Sequence, residues 1–341
     1  MSRERTVSPK ARPEDEGLPN VLRPTSLDDF PGQVKAIGNL RVALEASRRR
    51  GEPLEHVLLS GPPGLGKTSL AHIIAKEMDS RITTTAGPSI ERPGDLVGIL
   101  TNLTVGDVLF IDEIHRISRV VEEKLYSAME DFRIDIIIDK GPYAKTISMP
   151  LKRFTLVGAT TRTGLLTAPL RDRFGIHYHL DFYTVEELTD ILERSGRLLG
   201  IVMDADGARE IARRCRGTAR IANRLLRRVR DHADVQGDGT VSAVIANEAL
   251  LQQGVDEEGL DELDRRFLRI IIEFYKGGPV GIEAIGAHLS EETDTLIDVV
   301  EPYLLKIGFV TRTPSGRCAT EKAYAHLNHT PFPGGDQASL F

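Results

Sequence analysis

The sequence predicts an α/β phosphate-loop domain on a five-stranded parallel sheet, then a small all-helical domain, then a C-terminal winged helix. Three observations predict this order. Apolar runs of strand length alternate with amphipathic helical stretches through the first half, as a parallel sheet with crossover helices requires. Gly61-Pro-Pro-Gly-Leu-Gly-Lys-Thr68 matches the phosphate-loop pattern G-x-x-x-x-G-K-[ST] and lies between an apolar run and a helical one. Past Thr184 the strand signals stop, and they return only as two short runs near the C-terminus.

The five strands are expected at 56–60, 81–85, 108–111, 154–159 and 176–181, with helices such as 68–78 and 120–130 between them. The phosphate loop then falls at the first strand-to-helix turn. Backbone N–H groups and a helix N-terminus face an anion there. Residues 133–152 interrupt the alternation. Ile134, Ile136 and Ile138 alternate with Asp135, Ile137 and Asp139, and Lys140-Gly-Pro-Tyr143 offers a turn. This predicts a β-hairpin inserted at about 133–150, either an ordinary edge hairpin or a protruding partner-binding element.

Helices are expected at 186–199, 206–214, 218–232 and 241–251, with Thr184 and Glu187 placed as a capping box. An acid-rich stretch at 254–259 reads as a linker. Helical patterns at 262–274, 282–289 and 293–306 follow, then strands at 309–312 and 317–320 joined by Thr313-Pro-Ser-Gly316. That is a helix-turn-helix with a wing. The predicted division is a disordered tail at 1–20, a large domain at 21–183, a helical domain at 184–255, a winged helix at 256–330 and a second disordered tail at 331–341.

Composition bounds the setting. With 341 residues, 40% of them hydrophobic and 28% charged, the chain has room for two or three soluble domains. No apolar stretch approaches the roughly 18 residues of a membrane span, and the N-terminus lacks the apolar core of a signal peptide. Cys215 and Cys318 have no metal-ligand spacing, which points to a reduced, cytoplasmic setting. A net charge of −6 argues against a wholly basic nucleic-acid coat. Charge is uneven, however: nine arginines fall between Arg209 and Arg230, and the plain reading is a solvated helix face.

The candidate chemistry is nucleotide hydrolysis. Lys67 is expected to reach the β- and γ-phosphates of ATP, with Gly64, Gly66 and Ser69 in the same turn and the Thr68 hydroxyl on Mg²⁺. Val108-Leu-Phe-Ile-Asp-Glu-Ile-His115 is an apolar strand ending in two carboxylates. Asp112 is placed to hold Mg²⁺ and Glu113 to polarise the attacking water. Thr160 and Thr161 end the fourth strand, and either is placed to touch the γ-phosphate. Pro169-Leu-Arg-Asp-Arg-Phe-Gly175 carries Arg171 and Arg173. They either pair with Asp172 on the surface or include an arginine finger, a device worth about 10³–10⁵ in rate.

From Leu22 to Arg317 the chain resembles the RuvB family of AAA+ motors. The resemblance rests on Leu22-Arg-Pro-Thr-Ser-Leu-Asp-Asp-Phe30, the phosphate loop, Gly94-Asp-Leu96 and Leu109-Phe-Ile-Asp-Glu-Ile-His-Arg116. Phe154-Thr-Leu-Val-Gly-Ala-Thr-Thr-Arg162 and Pro169-Leu-Arg-Asp-Arg-Phe-Gly-Ile176 extend it. Arg220-Ile-Ala-Asn-Arg-Leu-Leu-Arg-Arg-Val-Arg230 and Glu301-Pro-Tyr-Leu304 complete it. It implies that Thr161 senses the γ-phosphate, that Arg173 is the finger offered to a neighbouring subunit, and that Arg220 is a second sensor on the helical domain. It also implies nucleotide contacts from Leu22, Arg23, Glu130, Asp131, Phe132 and Tyr183, the last at the hinge between the two ATPase domains. The hairpin would dock RuvA through an apolar patch of its isoleucines, and Arg312 and Arg317 at the wing would contact DNA. An ATP- and Mg²⁺-dependent hexameric ring acting on double-stranded DNA at Holliday junctions follows, in recombination and repair, with RuvC as a further partner. One departure is visible: Ala219 stands where the family commonly has proline.

A phosphate-loop module joined to a winged helix also occurs in replication initiators, which are nucleotide-switched DNA-binding proteins. A protein-remodelling AAA+ chaperone would leave the winged helix unexplained. Movement of DNA in proportion to ATP consumed separates the motor from the switch.

Overall fold

The computed structural model describes residues 7–8, 20–138 and 145–330. The rest of the expected tails and the hairpin turn at 139–144 lie outside the described residues. Among the described residues, seven strands belong to the first of two compact units, Leu18–Tyr183. They are β1 (Val57–Ser60), β2 (Ile82–Ala86), β3 (Val108–Asp112), β4 (Arg133–Ile138), β5 (Lys145–Pro150), β6 (Thr155–Thr160) and β7 (Ile176–His179). Five form one parallel sheet in the order β2-β3-β6-β1-β7. They are the five the sequence predicts, each end displaced by two residues or fewer.

Strands covered on both faces read as continuous apolar runs, and β1 and β6 are buried throughout. Edge strand β2 is half exposed, and it carries Thr83, Thr84 and Thr85. Strand β6 lies between β1 and β3, with Ser60 opposite Thr160 and Ile111 opposite Gly158. The C-terminal ends of the phosphate-loop strand, the threonine strand and the acidic strand therefore stand side by side, where open α/β sheets bind their ligands. The Lys67–Glu77 helix buries Leu70, Ala71, Ile73 and Ile74, and the Arg119–Glu130 helix buries Val121, Leu125, Ala128 and Met129.

The helices Val34–Arg50 and Pro93–Thr101, and the short Ala168–Arg171 and Glu321–His326, are not among those expected. The first buries only the narrow stripe of Ile37, Leu40, Leu44 and Ser47, so its apolar signal is thin. The hairpin is present as antiparallel β4 and β5, with Ile134 opposite Met149. Ile134 is fully buried in the core, so it does not belong to an exposed docking patch, whereas Ile147 is exposed.

The second unit runs from Thr184 onward and includes Val7 and Ser8. Its helices Val185–Leu199, Ala205–Arg213, Ala219–Gln236 and Ala243–Gln252 follow the prediction closely. The capping box is formed: the Thr184 hydroxyl accepts from the Glu187 N–H at 3.2 Å and the Glu187 carboxylate accepts from the Thr184 N–H at 2.8 Å. Such a cap is worth about 1 kcal/mol. The region is not wholly helical. Parallel strands β8 (Val202–Met203) and β9 (Thr240–Val241) pair there, too short to show alternation in sequence.

The winged helix follows with helices Glu262–Arg269 and Ile282–Leu289, each in its predicted place. Single π-helical turns at Ile270–Phe274 and Leu296–Val300 interrupt the longer helical stretches. Strands β10 (Val310–Thr313) and β11 (Gly316–Ala319) form the wing, and Val280 bridges to Arg317. One apolar cluster, including Phe267, Ile271, Ile285, Leu296, Leu304 and Val310, forms the core of this part.

The arginine-rich segment is not a solvated face. Arg214, Arg216 and Arg224 are buried. Arg214 bonds Glu210, Asn247 and the Val255 carbonyl, and Arg216 bonds Asp264 and the Val299 carbonyl. Arg224 donates to the Ser8 carbonyl at 2.6 Å. Val7 and Ser8 are themselves buried, so this part of the expected N-terminal tail is packed on the protein.

Candidate nucleotide site

The phosphate loop is shaped by backbone that only glycine adopts readily. Gly61 has φ 129°, and a Cβ there would lie 2.2 Å from the Leu180 carbonyl oxygen. Lys67 is buried, and its ammonium donates to the carbonyls of Gly61 at 2.7 Å and Pro62 at 2.9 Å. Those neutral acceptors occupy positions that anionic phosphate oxygens would win. The helix that begins at Lys67 has a glycine, Gly66, at its N-cap, so its N-terminus carries no side-chain cap from that position, and a helix N-terminus favours an anion. The loop is braced from behind. The Tyr183 hydroxyl donates to the Leu65 carbonyl at 2.9 Å, and the Phe30 ring lies 3.0 Å from where a Gly66 Cβ would be.

Tyr183 is the last residue of the first unit and is buried, with its hydroxyl committed to the loop. Phe30 was missed as a site residue; its signal was its place at the end of the Leu22–Phe30 segment. Leu22 is buried in a short 3₁₀ turn, and Arg23 is exposed. Burial, and then the charge of Arg23, hold the His72 imidazole below its ordinary pKa.

Glu113 follows the acidic strand with a left-handed backbone, φ 48°. A Cβ on Gly87 would lie 2.4 Å from the Glu113 carbonyl oxygen, so only glycine admits the approach. The Asp112 carboxylate accepts from the Glu113 N–H at 2.9 Å. Thr161 donates its hydroxyl to Glu113 Oε2 at 3.2 Å, and His115 Nδ1 lies 3.2 Å from the same oxygen. Thr160 is fully buried; its hydroxyl is 2.9 Å from His115 Nδ1 and accepts from the Arg162 N–H at 3.0 Å. The pair left open by the sequence is thus divided: Thr161 faces the carboxylate and Thr160 supports the histidine. His115, like Phe30, is a site residue that the sequence did not single out.

The two arginines also part company. Arg171 is exposed, 3.9 Å from Asp172. Arg173 pairs with Glu130 at 2.9 Å, donates to the Pro169 carbonyl at 2.8 Å and lies over the Tyr126 ring. Glu130 is therefore an arginine partner. Asp131 is exposed, and Phe132 sits edge-on to Phe154 in the core beside His56. Arg220 belongs to the second unit, where it is the second residue of the Ala219–Gln236 helix. Arg312 and Arg317 stand opposite each other on the wing, and both bind the buried carboxylate of Glu301, Arg317 at 2.7 Å.

The donor set fits magnesium. Thr68 and Asp112 offer hard oxygens, and no cluster of three or more His, Cys, Asp or Glu occurs among the described residues that could hold a metal alone. Magnesium characteristically binds through one or two protein oxygens together with substrate phosphates. No helix among the described residues is long and apolar enough to cross a membrane.

Residues 22–180 match the family described as Holliday junction DNA helicase RuvB P-loop domain. Residues 183–256 match the RuvB AAA lid domain, and 257–328 match the RuvB C-terminal winged helix domain. The Holliday junction branch migration complex subunit RuvB of Chloroflexus aurantiacus is 53% identical over 351 residues, covering 100% of both chains. That of Salinibacter ruber is 55% identical over 336 residues, 98% of this chain and 97% of the other. The structure of the Thermotoga maritima RuvB Holliday junction branch migration motor superposes with a TM-score of 0.85 at 52% identity, covering 92% of this chain and 100% of that one. With its phosphate loop, lid and winged helix all matched at such identity, the chain belongs to the RuvB family of AAA+ ATPases.

Proposed function

We propose that the chain is an ATP-driven ring motor that moves double-stranded DNA and drives branch migration of Holliday junctions together with RuvA. One observation carries the ring: Arg173 makes its contacts with Glu130, Pro169 and Tyr126, and none with the phosphate loop or Glu113. An arginine finger absent from its own subunit's site serves a neighbour's, so hydrolysis waits on assembly into a ring, here a hexamer.

In this reading the phosphate loop from Gly64 to Ser69 binds ATP, with Leu22, Arg23 and Tyr183 on the adenosine side. Glu113, oriented by Thr161, accepts a proton from the attacking water. Arg173 neutralises charge on the transferred phosphoryl group of the adjacent subunit, and Glu130, Asp131 and Phe132 are further nucleotide contacts. Arg220 reports nucleotide state from the lid. Magnesium, held through Thr68 and Asp112, supplies charge neutralisation on the phosphate oxygens. The large domain is assigned to 21–183, the lid to 184–255 and the DNA-binding head to 256–330. The 133–150 hairpin docks RuvA, Arg312 and Arg317 face DNA phosphates, RuvC is a further partner, and the complex works in the cytoplasm in recombination and repair.

The test is ATP-dependent dissociation of a synthetic four-way junction, with and without RuvA. Dissociation that scales with ATP consumed supports the motor. Stoichiometric DNA binding with no dissociation under either condition would overturn it in favour of a nucleotide-switched DNA-binding protein of the initiator kind.

A further inference from the structure

We propose that Tyr126 is a positioning residue for Arg173: its ring aligns the guanidinium that is offered to the neighbouring subunit's nucleotide. This rests on the trans-finger reading above and deepens it.

The Arg173 guanidinium lies 4.6 Å from the Tyr126 ring centroid. Its Nη1 donates to the Pro169 carbonyl, its Nη2 pairs with Glu130, and its Nε is buried without an acceptor. Attraction to the ring face offsets that missing bond. The three holds differ in what they allow. The Glu130 carboxylate competes with a triphosphate for the same positive charge. The Pro169 carbonyl occupies one in-plane N–H. The ring takes only the flat face and leaves the N–H edges for phosphate oxygens.

The ring is itself fixed from below. The Tyr126 hydroxyl donates to Glu122 Oε1 at 2.5 Å and lies 3.0 Å from the Thr167 hydroxyl. Thr167 donates to the same Glu122 oxygen and also caps the Ala168–Arg171 helix by accepting from the Leu170 N–H. Glu122 is buried. One buried carboxylate thus sets both the ring against Arg173 and the short helix that leads to Arg173. Burial, reinforced by Glu122, pushes the phenol above its ordinary pKa, so the hydroxyl remains a donor wherever the protein works.

The experiment is single-turnover hydrolysis of pre-bound ATP by protein assembled on duplex DNA, in pure and mixed rings. Tyr126→Leu alone should lose about ten-fold in rate with unchanged nucleotide affinity, while Tyr126→Phe, which keeps the ring, should stay within about three-fold of wild type. Mixing Tyr126→Leu with Glu113→Gln should restore hydrolysis above both parents, because one supplies intact phosphate loops and the other intact fingers. Arg173→Ala mixed with Glu113→Gln is run alongside. Recovery in that control but not with Tyr126→Leu overturns the role of Tyr126. Recovery in neither mixture overturns the trans-finger reading itself. Should Tyr126→Leu unfold early, Tyr126→Met carries the same test, since it also lacks the ring face.

Discussion

Arg216 and Asp264 form an ion pair of 2.9 Å with 2% and 0% of their side chains exposed, and it ties the helical lid to the winged helix. Arg216 also donates to the Val299 carbonyl at 3.0 Å and lies 4.7 Å from the centre of the Tyr303 ring. The Tyr303 hydroxyl returns to the Glu258 carbonyl at 2.7 Å. A pair this deep loses more when broken than it contributes when intact, because either partner left alone is an unpaired buried charge. Asp264→Ala should therefore lower stability by about 3–5 kcal/mol. The double change Arg216→Met with Asp264→Leu should cost less than either single change. Thermal unfolding of the four proteins checks this, and a double variant less stable than both singles would contradict it.

The wing presents two arginines that a sequence cannot rank. Glu301 is buried and takes both, but the Arg312 side chain is 53% exposed and that of Arg317 only 15%. Arg317 is the more deeply held of the two, while Arg312 reaches further into solvent. Arg317→Ala should destabilise the protein by about 2–4 kcal/mol by leaving Glu301 with a weaker, exposed partner. Arg312→Ala should cost under about 1 kcal/mol and reduce the salt dependence of DNA binding by about one phosphate contact. Denaturant unfolding and DNA titrations at several salt concentrations separate the two.

His56 should make the fold sensitive to acid. Its Nε2–H donates to the Met129 carbonyl at 3.1 Å, and its Nδ1 accepts from the Leu156 N–H at 2.9 Å. Both nitrogens are used, and they define one neutral tautomer. Burial holds the imidazole below its ordinary pKa of 6.5. The unfolded chain then binds the extra proton first, so this contribution is complete above about pH 6.5 and is lost as pH falls toward the folded pKa. Imidazole resonances of His56 should show no titration near pH 6.5. Unfolding free energy should fall more steeply below that pH in the wild type than in His56→Gln.

Ala219 is the first residue of the Ala219–Gln236 helix, and Thr218 before it is extended at φ −128°, ψ 132°. That is the conformation a following proline demands, and the first helical position is where proline is best tolerated. Ala219→Pro should raise stability by about 0.4–1 kcal/mol by restricting the unfolded chain. A fall in melting temperature would show that the backbone at Arg220 is less compatible than these angles imply.

Much of the site was legible because its residues are close in sequence. The loop from Gly61 to Thr68 and the adjacent Asp112 and Glu113 sit at strand ends, which apolar runs mark well. Thr160 and Thr161 could not be told apart. Thr160 ends β6 and Thr161 follows it, and which of them meets Glu113 depends on β6 lying between β1 and β3. The Val34–Arg50 helix was illegible because its buried stripe is narrow, and β8 and β9 because two residues carry no period.

The sequence by itself determined which chemistry is present: a phosphate loop, an acidic strand end, paired arginines and a wing. These are local patterns, set by backbone geometry over a few residues. The tertiary structure decided what each charged side chain is for. Arg216 meets Asp264 across 48 residues and Thr161 meets Glu113 across the same separation. Arg173 meets Tyr126 across the fold, and Glu301 draws in both wing arginines. Burial makes an unpaired charge costly, so each buried ion must find its partner. That partner is set by which elements pack together, and no local pattern records it.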